Sequence, residues 1–324
     1  MEHTAEKTIY AIAGPTASGK TEIGVALARR LGNAEIINCD SVQIYQEIQI
    51  ATAKPSLEEM RGVPHHLIDY VAPEVKYTAA DWAEDAARKI EEIERRGNVP
   101  ILVGGTGFYL RALRQPFFEG PPTDENLRER LMKLKEEKGA EYLHKILQRV
   151  DKVSAAKLFP RDFVRVSRAL EVYFQTGNAI SAVQPNRLEP PEFAHRIEIF
   201  VLNPPRDLLY QRINERATRH FETGLVEEVE KLRANGLRDE TNALGAHGYR
   251  RVCEFLRGER TLESAIEQTK QDVRNYAKRQ MSWFRREAGV IWLEGFGDDE
   301  ATQENLFRLA KIASNAEARP EVKA

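Results

Sequence analysis

Gly14-Pro15-Thr16-Ala17-Ser18-Gly19-Lys20-Thr21 decides how the rest of this 324-residue chain is read. Its spacing is that of a phosphate-binding P-loop, GxxxxGK[ST], and it sits where such a loop works. Residues 8–13 before it are an apolar, β-prone run, and residues 21–31 after it carry a helical pattern. In that setting the glycines let backbone N–H groups turn inward around phosphate oxygens, and the helix N-terminus adds its positive end. Lys20 brings a point charge and Thr21 a hydroxyl able to ligate Mg²⁺. Gly14, Pro15, Thr16, Ala17, Ser18, Gly19, Lys20 and Thr21 are therefore the expected diphosphate- or polyphosphate-binding residues, with Thr21 the expected metal ligand.

Four further β-prone runs, at 34–39, 99–103, 196–202 and 290–293, are bounded by turn residues and separated by helical patterns. Strands alternating with helices predict an α/β fold, a P-loop NTPase-like core built on a parallel sheet. The gap between the third and fourth strands is too long for one crossover helix. After the Pro121-Pro122 break, Thr123 and Asp124 open a helical pattern predicted to run over 126–148, and a second covers 162–175 and stops at Gly177. Residues 115–191 thus read as an all-helical insertion, leaving 1–114 and 192–324 as one discontinuous core domain. Residues 315–324 read as a frayed tail.

The third strand ends in Gly104-Gly105-Thr106-Gly107, whereas NTP-hydrolysing P-loop proteins usually place a metal-binding Asp at such a strand end. A motor or NTPase reading is weakened accordingly. The second strand delivers Asp40 to the carboxyl edge of the sheet, where open α/β folds bind ligands. A carboxylate there suits a general base, the alternative being an Asp that caps the next turn. Thr106 brings a hydroxyl to the same edge. Arg212 and Arg216, four apart on a helix, could clamp phosphates or form an exposed pair. From Lys270 to Arg286 six bases face one acid, Asp272. Arg274, Lys278 and Arg285 share one helical side, which reads either as a solvated face or as a surface for nucleic-acid phosphates. His65 and His66 lack the partners of a metal site and read as structural.

The balance of 48 bases against 50 acids, two cysteines, and the absence of an apolar run near the ~18 residues of a membrane span exclude a disulfide framework, a zinc cage and a transmembrane segment. The polar start at residues 1–7 leaves no room for a signal peptide. A cytoplasmic setting is expected.

With the P-loop, Asp40-Ser41-Val42-Gln43, Pro64-His65-His66-Leu67-Ile68-Asp69, Gly104-Gly105-Thr106-Gly107-Phe108-Tyr109 and Tyr276-Ala277-Lys278-Arg279-Gln280 all in order, the chain resembles the bacterial tRNA dimethylallyltransferases over residues 9–290. The resemblance implies transfer of a dimethylallyl group from dimethylallyl diphosphate to N6 of adenosine 37 in tRNA, with Mg²⁺ as cofactor. The bond broken is carbon to oxygen, so no Walker-B acid is needed. It further implies Asp40 as general base, with Lys20, Thr106 and Arg216 as its catalytic companions. Flipping of the target base into a channel is implied as well. Contacts to tRNA would come from Asp40, Ser41, Val42, Gln43, Thr106, Arg128, Val164, Arg165, Val166, Ser167, Arg168, Tyr249, Arg250, Arg274, Lys278, Arg279 and Gln280. The insertion would grip the anticodon stem-loop of a tRNA bound to a monomer. Two departures stand out: Arg251 occupies a position that often holds an acid in the family, and the eukaryotic members' zinc finger is missing. The rival readings are a P-loop small-molecule kinase, a prenyltransferase acting on free AMP, and a nucleotide-gated RNA-binding module.

Overall fold

A computed structural model describes residues 8–311; the polar start and the expected tail at 315–324 lie outside them. Six strands form one sheet: β1 (Ile9–Ala13), β2 (Ala34–Asn38), β3 (His65–His66), β4 (Val99–Gly104), β5 (Ile197–Asn203) and β6 (Val290–Glu294). Their order is β3-β2-β4-β1-β5-β6 and every neighbouring pair is parallel. β1, β2 and β4 are buried along their whole length, as strands covered on both faces must be. Tyr10, Ile12, Ile36, Ile101, Val103 and Phe200 pack with Ile23, Val25 and Leu27 of the helix Lys20–Leu31 in the main core. The α/β expectation holds, and five of the six strands fall where the pattern puts them. β3 is the addition. Two residues are too short to show a period, and they are held by main-chain pairing with Ile36 and Ile37.

The sheet's register aligns the functional loops. Ala13 pairs with Gly104 on one side and Val201 on the other, while Asn38 pairs with Val103. The P-loop, the Asp40 turn and the Thr106 turn therefore leave the same edge side by side. Gly104 makes the close approach possible, since a Cβ there would lie 2.0 Å from the Cys39 carbonyl oxygen.

The chain divides into two compact units. One contains the sheet and runs to Arg114, resuming at Pro191; the other is Gln115–Pro190. The second unit is helical, with Glu125–Lys138, Ala140–Val150 and Phe163–Thr176 as its longest elements. The single helix read over 126–148 is two helices. Gly139, at φ 83 and ψ 159, breaks it in a conformation that costs other residues dearly. Asp124 caps the first helix by accepting from Leu127 N, and Gly177 closes the last at φ 73. Leu131, Leu143, Leu147, Val166 and Leu170 form this unit's own core. Beside it the fully buried Glu171 accepts from Arg128, Arg168 and the Asp124 amide. Burial alone would push the Glu171 carboxyl up, but those donors outweigh it and hold it below its ordinary range.

Candidate active site

The P-loop is held open by contacts from outside itself. Thr16 N donates to Gln280 Oε1 at 2.8 Å, and Gln280 Nε2 donates to the Gly105 carbonyl at 3.0 Å. One buried amide thus ties the P-loop to the Thr106 turn. Arg216 donates to the Thr16 hydroxyl, and Lys20 Nζ donates to the Pro15 carbonyl at 2.7 Å. Ala17 sits at φ 64, a left-handed turn that is strained for a residue with a Cβ. Ser18 Oγ is buried without a partner inside the loop. A buried hydroxyl with no partner in a loop of this sequence is a group that a diphosphate oxygen can satisfy.

Above the loop opens a cavity of about 790 Å³ lined by Thr16, Asp40, Ser41, Val42, Thr52 and Arg216, with Tyr45, Tyr77, Tyr109 and Tyr276 as aromatic walls. Asp40 Oδ1 accepts from Val42 N at 2.9 Å and from Gln43 N at 3.4 Å. The capping role and the ligand-facing role are therefore not alternatives. One oxygen organises the turn and Oδ2 has no hydrogen bond from the described residues. Thr106 Oγ1 accepts from Ser41 N at 3.1 Å, locking the two turns together. Tyr109 stacks on Trp82 at 4.9 Å, and Trp82 Nε1 donates to the Asn38 carbonyl, which braces the strand end that bears Asp40.

Loss of hydration pulls the Lys20 ammonium down to about 8; Asp40 opposes the shift and Arg216 adds to it. Arg216 is likewise lowered by burial, with Asp40 opposing. Burial, then Arg216 and Arg219, drops His220 to about 4, so this cavity-lining imidazole is neutral at pH 7. Burial also lowers His247, which packs on the Tyr276 ring at 5.0 Å.

Thr21 opens the first turn of its helix with a hydroxyl that makes no hydrogen bond to the described residues. One hydroxyl plus phosphate oxygens fits a hard cation that keeps several waters, and among the described residues no cluster of three His, Cys, Asp or Glu competes for it.

Arg216 and Arg212 part company: Arg212 pairs with Asp298 at 2.8 Å over the Phe296 ring, and of the two only Arg216 lines the cavity. Of the residues expected to meet RNA, Val166, Ser167, Tyr249 and Gln280 are buried, at 1%, 7%, 0% and 5% exposure. Ser167 bonds the Val164 carbonyl, and Tyr249 donates to Glu228 and accepts from Ala51 N. These four are corrections with one cause: a motif carried over as an unbroken segment ignores the helical period, which turns every third or fourth side chain inward. Val164, at 76% exposure, and Arg165, Arg250, Lys278 and Arg279 do face outward. Arg274 bonds Asn214 and Gln271, and Arg128 and Arg168 are held at Glu171. Arg251 pairs with Asp272 and Glu254, so its departure from the family pattern is absorbed structurally. His66 Nε2 meets Glu35 at 2.6 Å and His65 Nδ1 the Val63 carbonyl, a structural pair as expected. The tyrosine walls, His220 and the Gln280 bridge escaped the sequence reading, because each depends on packing between distant segments.

Among the described residues no helix is long and apolar enough to cross a membrane. Residues 43–287 match the family model for IPP transferase. The chain is 45% identical over 309 residues to a tRNA dimethylallyltransferase of Koribacter versatilis, covering 95% of this chain and 100% of that one. It is 48% identical over 297 residues to another from Geobacter metallireducens, covering 91% and 94%. In three dimensions it resembles a full-length tRNA isopentenylpyrophosphate transferase of Bacillus halodurans, with a TM-score of 0.68 and 38% identity over 94% of this chain and 95% of that one. It also resembles a eukaryotic dimethylallyltransferase acting on tRNA, with a TM-score of 0.75 and 27% identity over 98% and 83%. A match that spans both the sheet edge carrying the P-loop and the helical insertion has one meaning: the chain belongs to the IPP transferase family.

Proposed function

We propose that this chain transfers the dimethylallyl group of dimethylallyl diphosphate to N6 of adenosine 37 in tRNA and releases diphosphate. The observation that carries the reading is that Asp40, Thr16 of the P-loop and the Arg216 that bonds Thr16 line one aromatic-walled cavity, with the buried Lys20 in the field of both Asp40 and Arg216. An adenine amino group is a poor nucleophile, so its proton has to leave as the new bond forms. Asp40 takes that proton while N6 bonds to the allylic carbon and the carbon–oxygen bond to diphosphate breaks. Lys20, Arg216 and the P-loop amides hold the charge that gathers on the departing diphosphate. Thr21 would hold a Mg²⁺ ion, which would supply further neutralisation of the departing diphosphate. Thr106 keeps the Asp40 turn in place and orients the adenine.

The target base has to leave its stack to reach a carboxylate at the foot of a cavity, which is the base-flipping part of the proposal. Ser41 and Val42 meet it at the cavity, with Gln43 next to them donating to the Thr52 and Ala53 carbonyls, and Arg250, Arg274, Lys278 and Arg279 meet the backbone. The insertion, through Arg128, Val164, Arg165 and Arg168, takes the anticodon stem-loop. The enzyme acts as a cytoplasmic monomer.

The test is to incubate the protein with Mg²⁺, radiolabelled dimethylallyl diphosphate and unmodified tRNA, with AMP in a parallel reaction. Label in tRNA that vanishes when A37 is replaced supports the proposal. Label in AMP alone, or in neither acceptor, overturns it.

A further inference from the structure

The basic side of the helix Leu262–Phe284 is more than a solvated face. Lys278 on it and Arg285 just past its end line a second cavity of about 270 Å³, together with Arg206 at the start of the helix Arg206–Glu222. None of the three cations has an ion pair among the described residues. The nearby acids are committed or turned out: Glu294 holds the Asn203 side chain through both oxygens, and Asp207 is exposed. The remaining lining is apolar, with Leu209 and Met281 buried in it. Tyr210 completes it, its buried hydroxyl lacking a hydrogen-bond partner and its ring 5.1 Å beneath the Arg206 guanidinium.

Three unpaired cations at an apolar, aromatic recess are built for a ligand that joins a phosphate to a flat ring. We propose that this cavity is a second, non-catalytic site that takes one nucleotide. The phosphate lies against Arg206, Lys278 and Arg285, and the ring lies on Tyr210, Leu209 and Met281. It is separate from the first cavity but shares a wall with the P-loop. Pro15 lines it, and the Pro15 carbonyl is the acceptor that holds Lys20. The nucleotide is either a free mononucleotide or one residue of a bound RNA; only the RNA source rests on the transferase reading above.

The experiment compares the full chain with an Arg206→Ala/Arg285→Ala double variant and with Ser282→Trp, which fills the cavity from an exposed position on its rim. Calorimetry with AMP is repeated on a Lys20→Met background, so that binding at the P-loop is told apart from binding at the second cavity, and tRNA binding is measured across a salt series. A loss of about tenfold in AMP affinity in both variants assigns the site to free nucleotides. A similar loss for tRNA alone, with a salt slope reduced by about one, assigns it to a nucleotide of the RNA. Unchanged affinity for both ligands overturns the proposal. Prenyl transfer by the wild-type chain is scored separately. Its absence sinks the transferase reading and leaves the AMP result standing.

Discussion

Asp40 Oδ1 is spent on the backbone of its own turn, which leaves Oδ2 for the base role proposed above. Asp40→Asn keeps the turn acceptor and removes the proposed base. Turnover is expected to fall by about 10²- to 10⁴-fold with the tRNA dissociation constant unchanged, and an Asn variant retaining near-full turnover would remove Asp40 from the role of base. Lys20 makes a pH prediction. Its ammonium is pulled down to about 8, and a bound polyanion favours the charged form. Diphosphate binding should therefore take up a proton as pH rises past 8, and affinity should decline over the same range. Calorimetry in buffers of different ionisation enthalpy reads that proton directly. A Lys20→Met reference subtracts the ligand's own titration, and equal proton uptake by both proteins would rule Lys20 out as the source.

Among the elements, the helix Phe163–Thr176 depends on a charge inside its own unit. Glu171 has its carboxyl held below the ordinary value, so the stability it contributes is complete above the unfolded carboxyl pKa, about 4.3, and is lost as pH falls through the folded value. Glu171→Gln removes the negative charge and one of the two oxygens that accept from Arg128 and Arg168, at a cost of about 1–3 kcal/mol near neutral pH. The variant should also lose part of the acid sensitivity. Thermal melts at pH 7 and pH 3 check both parts, and parallel losses in wild type and variant on acidification would contradict the assignment. The same scale explains the RNA-contact corrections. A segment such as 164–168 is one motif in sequence but two faces in a helix, and Val166 and Ser167 belong to the buried one.

For the whole molecule, the core's functional edge is complete without the insertion: the P-loop, Asp40, Thr106, Arg216 and Gln280 all belong to the unit that holds the sheet. Replacing residues 115–190 with a short Gly-Ser linker should leave diphosphate affinity within a few-fold of wild type while weakening tRNA binding by about 10²-fold or more. Calorimetry and filter binding measure the two, and tRNA affinity that survives the replacement would move the RNA surface onto the core. The sequence alone determined the fold class and the phosphate loop, because a parallel sheet buried on both faces writes continuous apolar runs and a P-loop writes its glycines and lysine within eight residues. It also determined that Asp40 and Thr106 reach the ligand edge, since strand ends are legible from the turn residues after them. Only the tertiary structure decided that Gln280, 264 residues from Thr16, bridges the P-loop to the Gly105 turn, that Arg216 enters the cavity while Arg212 turns away to Asp298, and that Lys278 and Arg285 share a recess with Arg206. Each of these is a meeting of segments far apart in the chain, fixed by how helices settle on the sheet, and no local pattern of residues records such a meeting.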